Sequence, residues 1–392
     1  MKPFYIAIIC LLFSAGASAE GISAYLANAL NQVERMNQRQ QHEQALAYLE
    51  SVTVSRSSDQ AQLARWLGVL YWQQGRNQQA IASLEQSLAT QALPQSQTRE
   101  VQRMLADLYL LEAQYPTSLD YYYPLVESEV NPKYKQQLWQ RIAQAHYHQQ
   151  QWQAAIKAAQ HALREQPENP ASALQLKLGA EVALQHWQSA ITSLSQLIEL
   201  QPHQPMWWRQ LSSVYLKQGN IGSALNTLSL AKLNHVKLDP SDLRLLAQLY
   251  AKRGLPELAA KQMAELEQSD TSVHSLIQQA NYWQWAKEWQ KAEQVWLKIA
   301  SQDPKYYWQV AQLQIQSKQY PQALESLEKI PDASAKVMLA KANIHYKLGQ
   351  LPQAVKSAQS AVELESSRET QQWLDFLRHR QALIKSRLEQ SR

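Results

Sequence analysis

The chain has 392 residues, nine glycines, a single cysteine and a formal net charge of +5. So mild a basic excess gives no support to nucleic-acid binding, and one cysteine excludes an internal disulfide framework. A chain of this length would ordinarily make two or three globular domains, but abundant Ala, Leu and Gln with few glycines favour helices throughout.

The first residues read as a targeting segment. Lys2 is a short positive region, Phe4 to Phe13 is an apolar run, and Ala17-Ser18-Ala19 is a small-residue cleavage site. Residues 1–19 are therefore expected to be a secretory signal peptide cut before Glu20, because the run is too short to span a bilayer. Cys10 lies inside that run with no lipobox before it, so the mature chain is expected to carry no thiol in an oxidising compartment.

From Leu26 to about Ser366 the apolar pattern repeats every 34 residues or so. The first unit is weak: Val33, Met36, Ala45 and Leu49 keep the spacing but lack an aromatic. Leu67-Gly68, Tyr71, Gly75, Ala80 and Leu84 form the second, and Leu105-Ala106, Tyr109 and Tyr122 continue it. Glu127 to Lys135 is read as an irregular inter-repeat turn. Gln136 to Asn169 is the clearest unit, two amphipathic helices bearing Leu138, Trp139, Ile142, Ala143 and Tyr147, then Ala155, Ile156, Ala159, Ala162 and Leu163. Pro167 stops the second helix. Further units carry Ala190 and Leu194; Trp208, Tyr215, Gly219 and Ala224; Ala247, Tyr250, Gly254 and Ala259; and Ala280, Trp283, Ala292 and Trp296. Ala311 and Ala323 mark a shortened unit, and Ala342, Tyr346, Gly349 and Ala354 close the series at about ten.

A tryptophan, a small residue four later, alanines near positions 20 and 27 and a proline near 32 resemble the tetratricopeptide repeat, and Trp139, Ala143, Ala155, Ala162 and Pro167 stand in that register. The resemblance covers nearly all of the mature chain and implies an all-α, right-handed superhelical solenoid over residues 20–366. Residues 367–392, with Trp373, Phe376, Leu377, Leu383 and Ile384 on one side and arginines on the other, are expected to be a capping helix. The layout of signal, repeats and no second domain also resembles the helical-repeat proteins that accompany TonB-type energy-transducing systems. That likeness implies a periplasmic location.

No glycine-rich phosphate loop, nucleophile elbow or HExxH is present, and the carboxylates form no dyad, so no catalytic role is expected. His146 and His148 lie about 200° apart around a helix and cannot share a metal, so His146 reads as a packed core histidine. No metal or cofactor is expected.

In the tetratricopeptide family the first helix of each unit lines the inner wall. By that register Arg65, Arg103, Arg209 and Arg244 recur at the fifth position, with Trp308 further on and Lys217 and Lys252 nearby. Asn281 and Asn343 fall at the ninth position, where an inner asparagine can bond a peptide backbone in this family. Ile277 stands where a carboxylate clamp would need a basic residue, so chaperone-tail binding is not implied. These nine residues are the candidate peptide surface, or else ordinary solvated helix residues. Trp285 and Trp289, at helical spacing, are placed on one face and with Tyr307 and Trp308 could make an aromatic platform, or else fill space between imperfect repeats. Two functions follow: holding a segment of another envelope protein, or stacking on a glycan, either peptidoglycan or an exported polysaccharide.

Overall fold

The computed structural model describes residues 21–266, 271–332 and 334–390. The expected signal segment and Cys10 lie outside them. Among the described residues there are twenty-one α-helices, one 3-10 turn at Pro304–Tyr306 and no strand. None of these helices is long and apolar enough to cross a membrane.

The chain divides into two compact bodies, Met1–Leu200 and Gln201–Arg392. The first holds five helix pairs: α1 (Ala24–Gln38) with α2 (His42–Glu50), α3 (Ser57–Gln73) with α4 (Asn77–Ala89), α5 (Gln95–Leu111) with α6 (Tyr115–Ser128), α7 (Pro132–His148) with α8 (Trp152–Arg164), and α9 (Ala171–Ala183) with α10 (Trp187–Leu200). The second holds α11 (Pro205–Lys217) with α12 (Ile221–Leu233), α13 (Pro240–Lys252) with α14 (Pro256–Leu266), α15 (Val273–Trp285) with α16 (Trp289–Gln302), α17 (Tyr307–Gln316) with α18 (Tyr320–Glu328), and α19 (Ala335–Lys347) with α20 (Leu351–Leu364). A final helix, α21 (Arg368–Gln390), follows. The segment expected to be irregular between Glu127 and Lys135 shrinks to residues 129–131. Asn131 caps α7 through its side chain, and Pro132 sits at the first helical position, where its missing N–H costs nothing.

Every pair is joined by three residues, and the middle one is left-handed in all ten turns. Gly75, Gly219, Gly254 and Gly349 occupy four of them at φ 73° to 75°, and Gln40, Ala113, Gln150, Gln185, Lys287 and Lys318 occupy the other six at φ 58° to 60°. In each turn the next amide bonds back to a carbonyl five residues earlier, as Gln151 does to His146 at 2.9 Å and Leu255 to Tyr250 at 2.9 Å. This is the Schellman closure, which satisfies the end of the first helix while its last residue opens the second.

The second helices cross the first at a small residue. Ala45, Ala80, Ser118, Ala155, Ala190, Ala224, Ala259, Ala292, Ala323 and Ala354 are all fully buried. Large side chains then fill the layers between: Tyr122, Leu138 and Ile142 in one cluster, Trp283, Val295 and Trp296 in another. Leu374 and Leu377 of α21 pack against Ala354 and Ala358, so that helix covers the last pair.

Candidate inner-wall site

The first helices are tied to one another by long polar side chains. In the first body the Arg65 Nη2 donates to Glu100 Oε2 at 2.9 Å, and the Arg103 Nη2 to Gln137 Oε1 at 2.9 Å. Arg103 also lies over the Tyr134 ring, 5.7 Å from its centroid, and Gln62 donates to Gln97. In the second body the Arg209 guanidinium grips Asp242 with two bonds of 2.6 Å and Asp239 with a third of 2.6 Å. Asp239 and Asp242 form the capping box of α13, so Arg209 of one pair clamps the start of the next. The Ser241 hydroxyl, more than Arg209 itself, holds the Asp239 carboxyl below its ordinary value. Partners at separations of 33 to 35 residues make this a ladder with the period of the repeat.

A second set of bonds runs from first helices back to the preceding second helix. Tyr71 donates to Glu50 at 2.7 Å and Tyr109 to Glu85, while Tyr122, on α6, donates to Asp107 at 2.5 Å. Burial raises the phenol pKa of all three, and the neighbouring carboxylates raise it further.

The residues nominated from sequence therefore separate into three groups. Arg65, Arg103 and Arg209 are engaged between repeats rather than presented to a ligand, because their forks find acceptors one period away. Arg244 is half-buried. Lys217, Lys252 and Asn281 are exposed, and Asn343 is half-buried.

The aromatic platform is not assembled. Trp285 ends α15 and Trp289 begins α16, with Lys287 at φ 59° reversing the chain between them, so helical spacing does not place them on one face. Trp289 and Tyr307 are half-buried against the Trp283–Trp296 cluster, and Lys329 covers the Tyr307 ring at 5.1 Å. Trp308 packs beside Ala311 and Leu327 with Lys336 4.6 Å above its ring. Only Trp285 of the four is open, 56% exposed. Asn281 lies one turn before it, on the same face of α15.

His146 is a core histidine: it is buried, with the Tyr123 hydroxyl at 2.7 Å and Gln151 at 2.6 Å on its two nitrogens. His148 faces elsewhere and stacks on Tyr115. Among the described residues no group of three or more metal-binding side chains comes together.

Residues 35–97 match the tetratricopeptide repeat family model. That match covers the start of the same series of helix pairs that runs through both bodies. Over those residues the protein is similar to the tetratricopeptide repeat family. Solved tetratricopeptide structures resemble it at low identity. One from Parabacteroides merdae ATCC 43184 is 16% identical, covers 62% of this chain and 98% of its own, and has a TM-score of 0.34. The C-terminal part of a repeat-containing protein from Cytophaga hutchinsonii is 11% identical over 69% of this chain and 98% of its own, with a TM-score of 0.38. The pilF protein of Pseudomonas aeruginosa is 15% identical over 57% and 99%, with a TM-score of 0.36. No curated protein matches the sequence at a significant level. The matched repeats, residues 35–97, have the fold of a protein-interaction scaffold. Asn343, nominated from sequence, lies at a recess beside α21 that it shares with Tyr346, Trp373 and Phe376.

Proposed function

We propose that this protein is a non-enzymatic scaffold of the periplasm that holds a segment of another envelope protein along the first helices of its second body. The observation that carries the reading is the pair Asn281 and Trp285, exposed one turn apart on α15. An open indole supplies a large rigid apolar anchor, and a neighbouring amide can bond an extended backbone. Lys217 and Lys252 stand exposed at the ends of α11 and α13 and would attract carboxylates. The ladder of Arg209 and its kind keeps the wall stiff, which lowers the entropy lost on binding. Service in a TonB-type transport system is the finer form of this reading, and the likeness of the repeat layout to the proteins of such systems supports it.

The same exposed indole would stack on a sugar ring, and glycan binding is the second reading. Salt separates the two. Capture of envelope proteins on immobilised protein is expected to fall with rising ionic strength and to fall about tenfold or more in Trp285→Ala. Arg209→Ala, which loosens the ladder without touching the anchor, should weaken capture far less than Trp285→Ala does. Capture that ignores salt and is displaced by soluble peptidoglycan fragments would favour the glycan. Capture that survives Trp285→Ala would refute both.

A further inference from the structure

The five turns of the second body follow one another along one of its edges. Arg209 of α11 reaches the start of α13, and Lys232 of α12 pairs with Glu265 of α14, so successive helix pairs stack side by side in the same direction. Each turn brings a cation to that edge: Lys217, Lys252 with Arg253, Lys287, Lys318 and Lys347, all exposed. The two carboxylates at these turns are already taken, Glu257 by Lys261 at 2.7 Å and Glu288 by Lys291 at 3.1 Å.

A helix C-terminus favours a cation on its own account, through its dipole. That preference does not explain the row, because the first helices of the first body end on Gln38, Gln73, Leu111, His148 and Ala183. Over the matching turns the first body sets Arg39 and Arg76 against Glu43 and Glu112. The same backbone device is neutral in one body and basic in the other.

Apolar side chains stand among these cations. Leu255 and Leu258 are exposed at the second turn of the row and Leu348 at the last. The final helix adds to them. Arg380 lies 3.5 Å from the hydroxyl of Tyr346, the residue before Lys347, so α21 reaches the edge there. It continues to Gln390, and Leu383, Ile384 and Lys385 are exposed beyond that point. At 1.5 Å per residue, Lys385 stands about 7 Å past Arg380.

We propose that this edge rests on an anionic phospholipid surface. Five of the six cations are lysines, point charges on flexible stems without the fixed fork that reads a single protein carboxylate. A row spread over five repeats, with leucines between, suits a plane of many mobile anions: the lysines lie among the headgroups and the leucines at the acyl boundary. No described helix is long and apolar enough to cross a bilayer, so the contact is peripheral and sensitive to salt. It uses neither Asn281 nor Trp285, so this inference and the inner-wall reading can fail separately.

The test floats the chain from Glu20 to Arg392 with phosphatidylcholine vesicles made with and without phosphatidylglycerol. Binding is expected on the anionic vesicles alone and should fall as ionic strength rises. The triple variant Lys287→Gln, Lys318→Gln, Lys347→Gln should bind about tenfold more weakly or worse. Its turns should be kept, because Gln40, Gln150 and Gln185 already hold the left-handed position that Lys287 and Lys318 occupy, and circular dichroism checks this. Lys217 and Lys252, which the protein-interaction reading uses, stay in place. Leu383→Ser with Ile384→Ser should weaken binding severalfold and keep its salt dependence. Arg39→Gln, at a turn of the first body, should change nothing. Equal binding to the two kinds of vesicle, a triple variant as tight as the wild type, or an equal loss in Arg39→Gln would overturn the proposal. So would poly-glutamate that strips the protein from the vesicles at equal anion concentration, which would mark the edge as a site for an acidic protein. The vesicles hold no protein. If they fail to bind while Trp285→Ala still abolishes envelope capture, this proposal falls and the inner-wall reading stands.

Discussion

Arg209 shows how a residue can be visible in a sequence and still be misread. Its recurrence with Arg65 and Arg103 at one repeat position was legible, but its partners were not, because Asp239 and Asp242 lie 30 and 33 residues away. A fork that finds two carboxylates inside the chain has little left for a ligand. Asn281 and Trp285 were legible by the same register and did emerge exposed. The tyrosines make a sharper prediction. Tyr122 is fully buried and donates to Asp107, which also lies 3.5 Å from Arg141. Its folded pKa is raised above an unfolded value of about 10, mainly by burial and then by Asp107. A raised value means stability that is complete below the unfolded pKa and is lost as pH rises through the folded one. Urea midpoints for the wild type are therefore expected to drop steeply above about pH 10. Tyr122→Phe should cost about 1 kcal/mol at neutral pH, by loss of one hydrogen bond, and flatten that alkaline decline. An unchanged alkaline slope would show that Tyr122 ionises freely in the folded protein.

At the level of the element, the turn between paired helices is the recurring device. Four of the ten turns carry glycine and could be read from the sequence. The other six hold Gln, Ala or Lys, residues with no turn signature, and are left-handed because the Schellman closure on either side imposes it. This is also why Trp285 and Trp289 were misplaced, since nothing in the residues between them announces a reversal. Ala113 has no side chain beyond Cβ to form compensating bonds, so Ala113→Gly should stabilise by about 0.5–1 kcal/mol. Gly75→Ala should cost a similar amount. A Cβ there would meet nothing within 4 Å, so the penalty is one of backbone alone. Chemical denaturation of the two variants checks the pair, and opposite signs are expected.

For the whole molecule, the fold class and the ten repeats followed from apolar spacing because each pair crosses at a small residue that recurs near every 34 positions. The division at Leu200 and Gln201 had no sequence signal, since the same pattern runs through it. Stability in a repeat array is a sum of repeat and neighbour terms. Ala155→Trp, at a fully buried crossing in the first body, should thus destabilise by about 1–3 kcal/mol through overpacking. Calorimetry should show an early transition from the first body and leave the later one in place. A single shifted transition would mean that the two bodies unfold as one.

The central claim, that a protein partner lies along the inner wall of the second body, is tested most directly by placing a photo-cross-linking residue at Trp285 in the full chain within its native cell. Leu230, 48% exposed on the second helix α12, serves as the control position. One discrete protein adduct from position 285, absent from position 230 and suppressed by high salt, is the result this account predicts. No adduct from 285, or the same adducts from both positions, would contradict it.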